Sequence, residues 1–174
     1  GCFTIVMLDQ SRYSVLCVVM VTRDRIVGPL HAPERQRNRP YPTAYRNMTD
    51  FTVLDLPTFG DDRGILTVID GVLPFTAQRL YWIHGVEGQV RGGHRHHKTR
   101  QGLIAISGIV FIYLNDGMHS DTIVLDSPHK CLIVEPKDWH TMTFSNDSVL
   151  LVIASHAYDV GDYIDEKYEE SGNG

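Results

Sequence analysis

His94 and His96 stand two residues apart in Arg91-Gly92-Gly93-His94-Arg95-His96-His97. Along an extended strand, alternate side chains leave the same face, so these two imidazoles emerge side by side and His97 takes the opposite face, outside any pocket they line. Two adjacent imidazoles can bind a metal or move protons near neutral pH; a polar, solvated strand is the plain alternative. Arg79-Leu80-Tyr81-Trp82-Ile83-His84 puts Arg79, Tyr81 and Ile83 on one face and Leu80, Trp82 and His84 on the other. Tyr81 can be core with a satisfied hydroxyl, or can exchange a proton with a substrate oxygen. Arg91 and Arg63 are candidates for holding a phosphate, whose geometry a guanidinium matches, or are exposed surface charges. His140 beside Trp139 is either a packed, hydrogen-bonded histidine or a functional one.

The elements that must carry these residues read as all-β. Short apolar runs recur between turns every eight to twelve residues. Phe51 to Leu56 is expected as an edge strand, Asp61 to Gly64 as a turn, and Ile65 to Ile69 as the next strand. Gln78 to His84, Leu103 to Ser107, Ile109 to Leu114, Thr122 to Leu125 and Cys131 to Glu135 follow as strands. Asn115-Asp116-Gly117 is the strongest hairpin signal, because glycine tolerates positive φ. Val149 to Ala154 is a near-continuous apolar run, as in a buried strand. Only Asp159 to Glu170 suggests a helix, a short C-terminal one. Many short strands with glycine turns indicate a jelly roll or barrel.

The chain has 174 residues and a net charge of −5, which leaves no footprint for nucleic acid. Residues 1–47 hold seven Arg and three acids, giving +4, whereas residues 48–174 hold nine Lys plus Arg and 18 acids, giving −9. That asymmetry, together with the Pro- and Arg-rich stretch 32–42, divides the chain at Met48. Residues 1–47 are expected to be a dispensable extension, disordered or a mis-set start, and residues 48–174 the functional domain. The alternative is that Phe3 to Leu8 and Val15 to Val21 pair as strands on a neighbour. Val15 to Val21 is far shorter than the roughly 20 residues that span a bilayer, so no membrane association is expected. Three cysteines without C-x-x-C spacing argue against a disulfide framework and for a reducing cytoplasm.

Gly88, His94, His96 and Gly108 fall in the spacing G-x5-H-x-H-x4-acid-x6-G, which resembles the first signature motif of the cupins. Gln101 stands where metal-binding cupins carry Glu, and an amide replaces a carboxylate ligand poorly. The second cupin motif usually reads P-x-G-x-x-H. Here, in Pro136-Lys137-Asp138-Trp139-His140, the Gly is missing and the His arrives one residue early. The resemblance therefore implies an RmlC-like jelly roll, or double-stranded β-helix, that keeps its histidines without a metal or other cofactor.

A longer set of segments is similar to one cupin branch. Gly60-Asp61-Asp62-Arg63-Gly64, Arg79 to Ile83, Arg91 to His96, Leu125-Asp126-Ser127-Pro128, Trp139-His140, Ser155 to Asp159 and Asp162-Tyr163-Ile164 resemble, in order, the dTDP-4-keto-6-deoxyglucose 3,4-ketoisomerases. Two positions depart: Arg95 stands where members have Ala, and Trp82 replaces the second residue of a Tyr-Tyr pair. The resemblance implies an isomerase that carries a ketone from carbon 4 to carbon 3 of a dTDP-linked sugar, feeding surface polysaccharide synthesis. Removing the carbon 3 proton gives an enediolate, which neighbouring donors can stabilise without a metal. His96 is expected as the base with His94 as its partner, and Tyr81 would handle protons on the sugar oxygens. Arg91, Arg63, Arg79, Gln101 and His140 are expected to bind substrate. The family works as homodimers with crossed N-terminal strands, which would set the segment near Phe51 on a partner. A metal-dependent cupin enzyme and a non-catalytic sugar-nucleotide-binding cupin are the rival classes. The galacto or gluco configuration of the product stays open.

Overall fold

The computed structural model describes residues 50–169. The first half contains Val53–Asp55 (β1), Thr58–Asp61 (β2), Gly64–Thr67 (β3), Arg79–His84 (β4), Val90–His96 (β5) and Gln101–Ser107 (β6). The second half contains Val110–Asn115 (β7), Ser120–Leu125 (β8), Lys130–Val134 (β9), Trp139–Phe144 (β10), Val149–Ala154 (β11) and Tyr163–Ile164 (β12). One five-stranded sheet runs β1-β9-β6-β11-β4 and a second runs β12-β5-β10-β7-β8, with β2-β3 as a separate hairpin. Every pairing is antiparallel. This is the expected jelly roll.

Alternation decides which side chains face the gap between the sheets. Leu103, Ala105, Leu132, Val134, Leu150 and Val152 from the first sheet meet Val110, Ile112, Leu114, Met142 and Phe144 from the second. The first sheet is covered on its other face as well. There Ile104, Cys131, Ile133, Leu151 and Ile153 lie under Ile69, Val72, Leu73 and Phe75 of the segment before β4. Burial on both faces explains why β6 and β11 read as continuous apolar runs rather than alternating ones. Phe51 is buried in the core of its own chain.

Two glycines sit at close approaches of the second sheet, Gly92 beside the histidines and Gly108 at the β6–β7 connection. Gly92 has φ +85°, and a Cβ there would stand 2.6 Å from the His140 carbonyl oxygen, where the β5–β10 register shifts. Gly108 has φ +69°, and a Cβ would meet Ser148 at 2.7 Å.

The expected C-terminal helix is a correction. Asp159 to Glu170 forms, as far as Glu169, one 3-10 turn at Val160–Asp162, then β12 and an extended tail. The Asp159 carboxylate caps the turn by accepting Gly161 N–H at 3.0 Å. The backbone of Tyr163 and Ile164 is then captured by β5, opposite His96 and Arg95. Tertiary pairing thus outcompetes a weak local helical preference. β2, β10 and β12 were not expected as strands. Residues 1–47 lie outside the described residues, as does any pairing of Phe3 to Leu8 or Val15 to Val21.

Candidate active site

Four strands deliver the chemistry to one end of the sandwich. β5 supplies His94 and His96, whose ring centroids are 5.1 Å apart, confirming one shared face. β10 supplies His140, opposite His94 in register and 5.1 Å from its ring. β4 and β6, in the facing sheet, supply Tyr81 and Gln101. A cavity of about 160 Å³ opens among Tyr81, Arg91, His94, Gln101, His140 and Tyr163, with Ile83, Leu103, Met142 and Val152 as its apolar floor. A smaller cavity shares Gln101 and Tyr163 and adds Arg79, His96, His156 and Tyr158.

His96 is 4% exposed and sits in a chain of polar contacts. Its Nδ1–H donates to the Asp162 carboxylate at 3.1 Å. Nε2 therefore keeps its lone pair, which accepts the Gln101 side-chain amide at 3.3 Å. The same amide donates to the Tyr81 hydroxyl at 3.4 Å, leaving that hydroxyl's own proton free for another acceptor. Asp162 is held in turn by the Thr99 hydroxyl and by Lys98 N–H at 2.9 Å. The Arg79 guanidinium lies 4.3 Å from the Tyr81 ring centroid and 5.1 Å from that of Tyr158. The Tyr163 ring closes on both histidines, 4.7 Å from His94 and 4.8 Å from His96.

Burial sets the protonation states. It lowers the pKa of His96, and the neighbouring His94 adds to that; Asp162 opposes both. His94 is lowered by burial against a hydrogen bond to Gly92 and the attraction of Asp165. His140, 1% exposed, is pushed down to about 4 by burial, against its Nδ1–H bond to the Asp138 carbonyl at 3.1 Å. Burial would raise Asp162, but its bonds from Thr99, Lys98 N–H and His96 outweigh that and hold it below the usual carboxylate range. Burial also raises the Tyr81 phenol, with Arg79 opposing. At neutral pH the site thus presents neutral imidazoles, an ionised Asp162 and a protonated phenol.

Most of the expected residues converge here: His94, His96, Tyr81, Arg91, Arg79, Gln101 and His140. Arg63 does not. It sits at the β2–β3 turn with its side chain 70% exposed, captured by the Asp61 carboxylate two residues back, with Nε to Oδ2 at 3.1 Å. It lines neither cavity of this chain. His97 is exposed. Asp162, Thr99 and Tyr163 were missed as site residues. Asp162 and Tyr163 sat in a stretch expected to be helical, and nothing local shows that a carboxylate 66 positions away reaches His96.

Gln101 presents an N–H, not a lone pair, to Nε2 of His96. Among the described residues no three His, Cys, Asp or Glu side chains are arranged to hold a metal ion.

A family model described as "FdtA: WxcM-like, C-terminal" matches residues 49–171. The chain is 40% identical over 116 residues to a TDP-4-oxo-6-deoxy-α-D-glucose-3,4-oxoisomerase of Aneurinibacillus thermoaerophilus, covering 64% of this chain and 84% of that one. A double mutant of the QdtA 3,4-ketoisomerase from Thermoanaerobacterium thermosaccharolyticum, solved with TDP, superposes with a TM-score of 0.64 at 37% identity, covering 67% of this chain and 88% of that one. The WlaRB TDP-quinovose 3,4-ketoisomerase of Campylobacter jejuni superposes with a TM-score of 0.64 at 35% identity, covering 67% and 93%.

Proposed function

This chain belongs to the FdtA, WxcM-like family of sugar-nucleotide 3,4-ketoisomerases, and from that premise we propose how its residues move the ketone of TDP-4-keto-6-deoxyglucose from carbon 4 to carbon 3 without a metal. The observation that carries the reading is the buried His96–Asp162 pair. Among the three clustered imidazoles, His96 has the carboxylate behind it, which fixes the Nδ1–H tautomer and stabilises the imidazolium that forms when Nε2 takes a proton. His140, with its pKa near 4, stays neutral and serves as a polar wall.

Nε2 of His96 removes the proton on carbon 3, and the electron pair moves to give an enediolate between carbons 3 and 4. Tyr81 donates its hydroxyl proton to the oxygen at carbon 4 and is recharged from the hydroxyl at carbon 3. His94 assists the return of a proton to carbon 4, which leaves the ketone at carbon 3. The Gln101 amide keeps His96 and Tyr81 in step, since it donates to both. Arg79 and Arg91 line the two cavities and orient the charged end of the substrate. The face of the enediolate that receives the proton decides between galacto and gluco products.

We place the reaction in the cytoplasm, a reading supported by the free, buried Cys131. The isomerase unit is residues 48–174, with 1–47 dispensable. The working form is a homodimer. Supporting that, β4 is an edge strand with Leu80 and Trp82 exposed on its outer face, and Phe59, Ile65 and Leu66 are exposed on the β2–β3 hairpin.

The test is turnover of TDP-4-keto-6-deoxyglucose with NMR identification of the product, before and after exhaustive chelation. A 3-keto product formed at an unchanged rate is expected. Loss of activity on chelation, restored by a divalent metal, would favour the metal-dependent rival. Binding of TDP-sugar without turnover would favour a non-catalytic binder.

A further inference from the structure

We propose that Arg95 is a positioning residue for the histidine pair, acting through a C-terminal strap that it pins across the outer face of the second sheet. Arg95 lies between His94 and His96 on β5, so its side chain takes the opposite face from theirs. There its Nε–H donates to the Glu166 carbonyl at 3.4 Å, and its guanidinium lies 4.5 Å from the Tyr168 ring centroid. Adjacent strands hold the same segment. Trp139 Nε1–H of β10 donates to the Asp165 carbonyl at 3.2 Å, and the Lys167 ammonium lies 5.4 Å from the Tyr113 ring of β7 and 5.5 Å from that of Trp139. The Tyr168 hydroxyl donates to the Lys137 carbonyl at 3.0 Å.

This outer anchorage matters because of where the segment begins. β12 is two residues long and pairs with β5 at the sheet edge, Tyr163 opposite His96 and Ile164 opposite Arg95. Two residues of pairing hold an edge weakly. Yet Tyr163 is the ring that covers both histidines from the cavity side. The tail thus wraps the edge of β5: Tyr163 seals the inner face and residues 165–168 grip the outer one. Releasing the grip lets Tyr163 swing away and admits water to the pair.

The inference rests on His94 and His96 being the proton-transferring pair. The titratable and charged groups facing them are Arg79, Tyr81, His140, Asp162, Tyr163 and Asp165, with His156, Tyr158 and Asp159 along the smaller cavity and Arg91 on the same strand. Burial is the largest influence on both histidines, so hydration moves them toward the ordinary value and outweighs the loss of Asp165 beside His94. Arg95→Ala removes a positive charge and would raise nearby histidines by that alone. Tyr168→Ala changes no charge and is therefore the deciding variant.

Imidazole proton NMR titration of the whole chain reads the pair without any turnover. In Tyr168→Ala the His94 and His96 midpoints should rise by roughly half a pH unit, while His140, deep on another strand, stays put. The acid limb of kcat/KM should rise with them, and adding Arg95→Ala should contribute little beyond its charge effect. Unmoved midpoints in Tyr168→Ala, even with a lowered Tm, would reduce Arg95 to a structural role and overturn the proposal. That outcome is separable from failure of the isomerase reading, which would show as no 3-keto product from the wild type, and from misplacement of the base, which would show as full activity in His96→Asn.

Discussion

The Gln101 amide donates to Nε2 of His96 and to the hydroxyl of Tyr81, so its chemistry depends on presenting N–H groups. Gln101→Glu replaces donors with a negative charge. A carboxylate beside His96 favours the imidazolium, so the acid limb of kcat/KM should move to higher pH and the rate at pH 7 should fall by about tenfold or more. A pH–rate profile checks this; an unmoved limb would show that Gln101 does not govern His96. Replacing the base itself is harsher. His96→Asn should lose about a hundredfold to ten-thousandfold in turnover with little change in TDP binding. His97→Asn, on an exposed side chain, should be nearly silent. Reversal of those two results would mean the base has been misplaced on β5.

The turn into β10 couples the site to stability. Asp138 Oδ2 accepts Glu135 N–H at 2.8 Å and Asp138 N–H returns a bond to the Glu135 carbonyl at 3.0 Å, which fixes the start of the strand carrying His140. Burial raises Asp138 to about 6 and lowers His140 to about 4. Their contributions run in opposite senses. Asp138 binds more protons folded than unfolded between about pH 4 and 6, so its contribution falls as pH rises through that window. His140 binds fewer folded than unfolded between about 4 and 6.5, so its contribution is lost as pH falls, as for His94 and His96. Each is bounded at roughly 3 kcal/mol. Asp138→Asn keeps the acceptor for Glu135 N–H but removes the titration. Urea unfolding should then show a steeper loss of stability between pH 6.5 and 4.5 than in the wild type. Parallel pH profiles would argue that Asp138 titrates normally.

At the scale of the whole molecule, the described residues 50–169 form two sheets with a shared core, and the family match begins at residue 49. A chain beginning at Met48 should therefore fold and turn over like the 174-residue chain. Loss of solubility or of activity in it would give the first 47 residues a structural part. Trp82 is 56% exposed on the outer face of an edge strand, and Phe59 on the hairpin is 61% exposed. If the proposed homodimer forms through this face, Trp82→Glu should shift light-scattering mass from dimer toward monomer, because a carboxylate there would be buried unpaired. A dimer unchanged by that substitution would place the interface elsewhere.

Alternation and glycine turns made the jelly roll legible from the chain alone, because a strand's face assignment depends only on the parity of its residues. That parity placed His94 with His96, Tyr81 with Arg79, and His97 apart, and the folded molecule agrees. The Gly88 to Gly108 spacing located the cavity through its resemblance to the first cupin motif. Parity says nothing, however, about which strand lies across the sheet. His140 joins the pair because β10 and β5 lock together where Gly92 admits the His140 carbonyl. Asp162 becomes the partner of His96 because a turn 66 residues later is captured by the edge of β5, overriding the helix its sequence suggests. Arg63 lies outside both cavities, at the β2–β3 turn, where Asp61 pairs with it. Local chemistry named the imidazoles. The long-range pairing of strand edges decided which carboxylate stands behind them and which ring covers them.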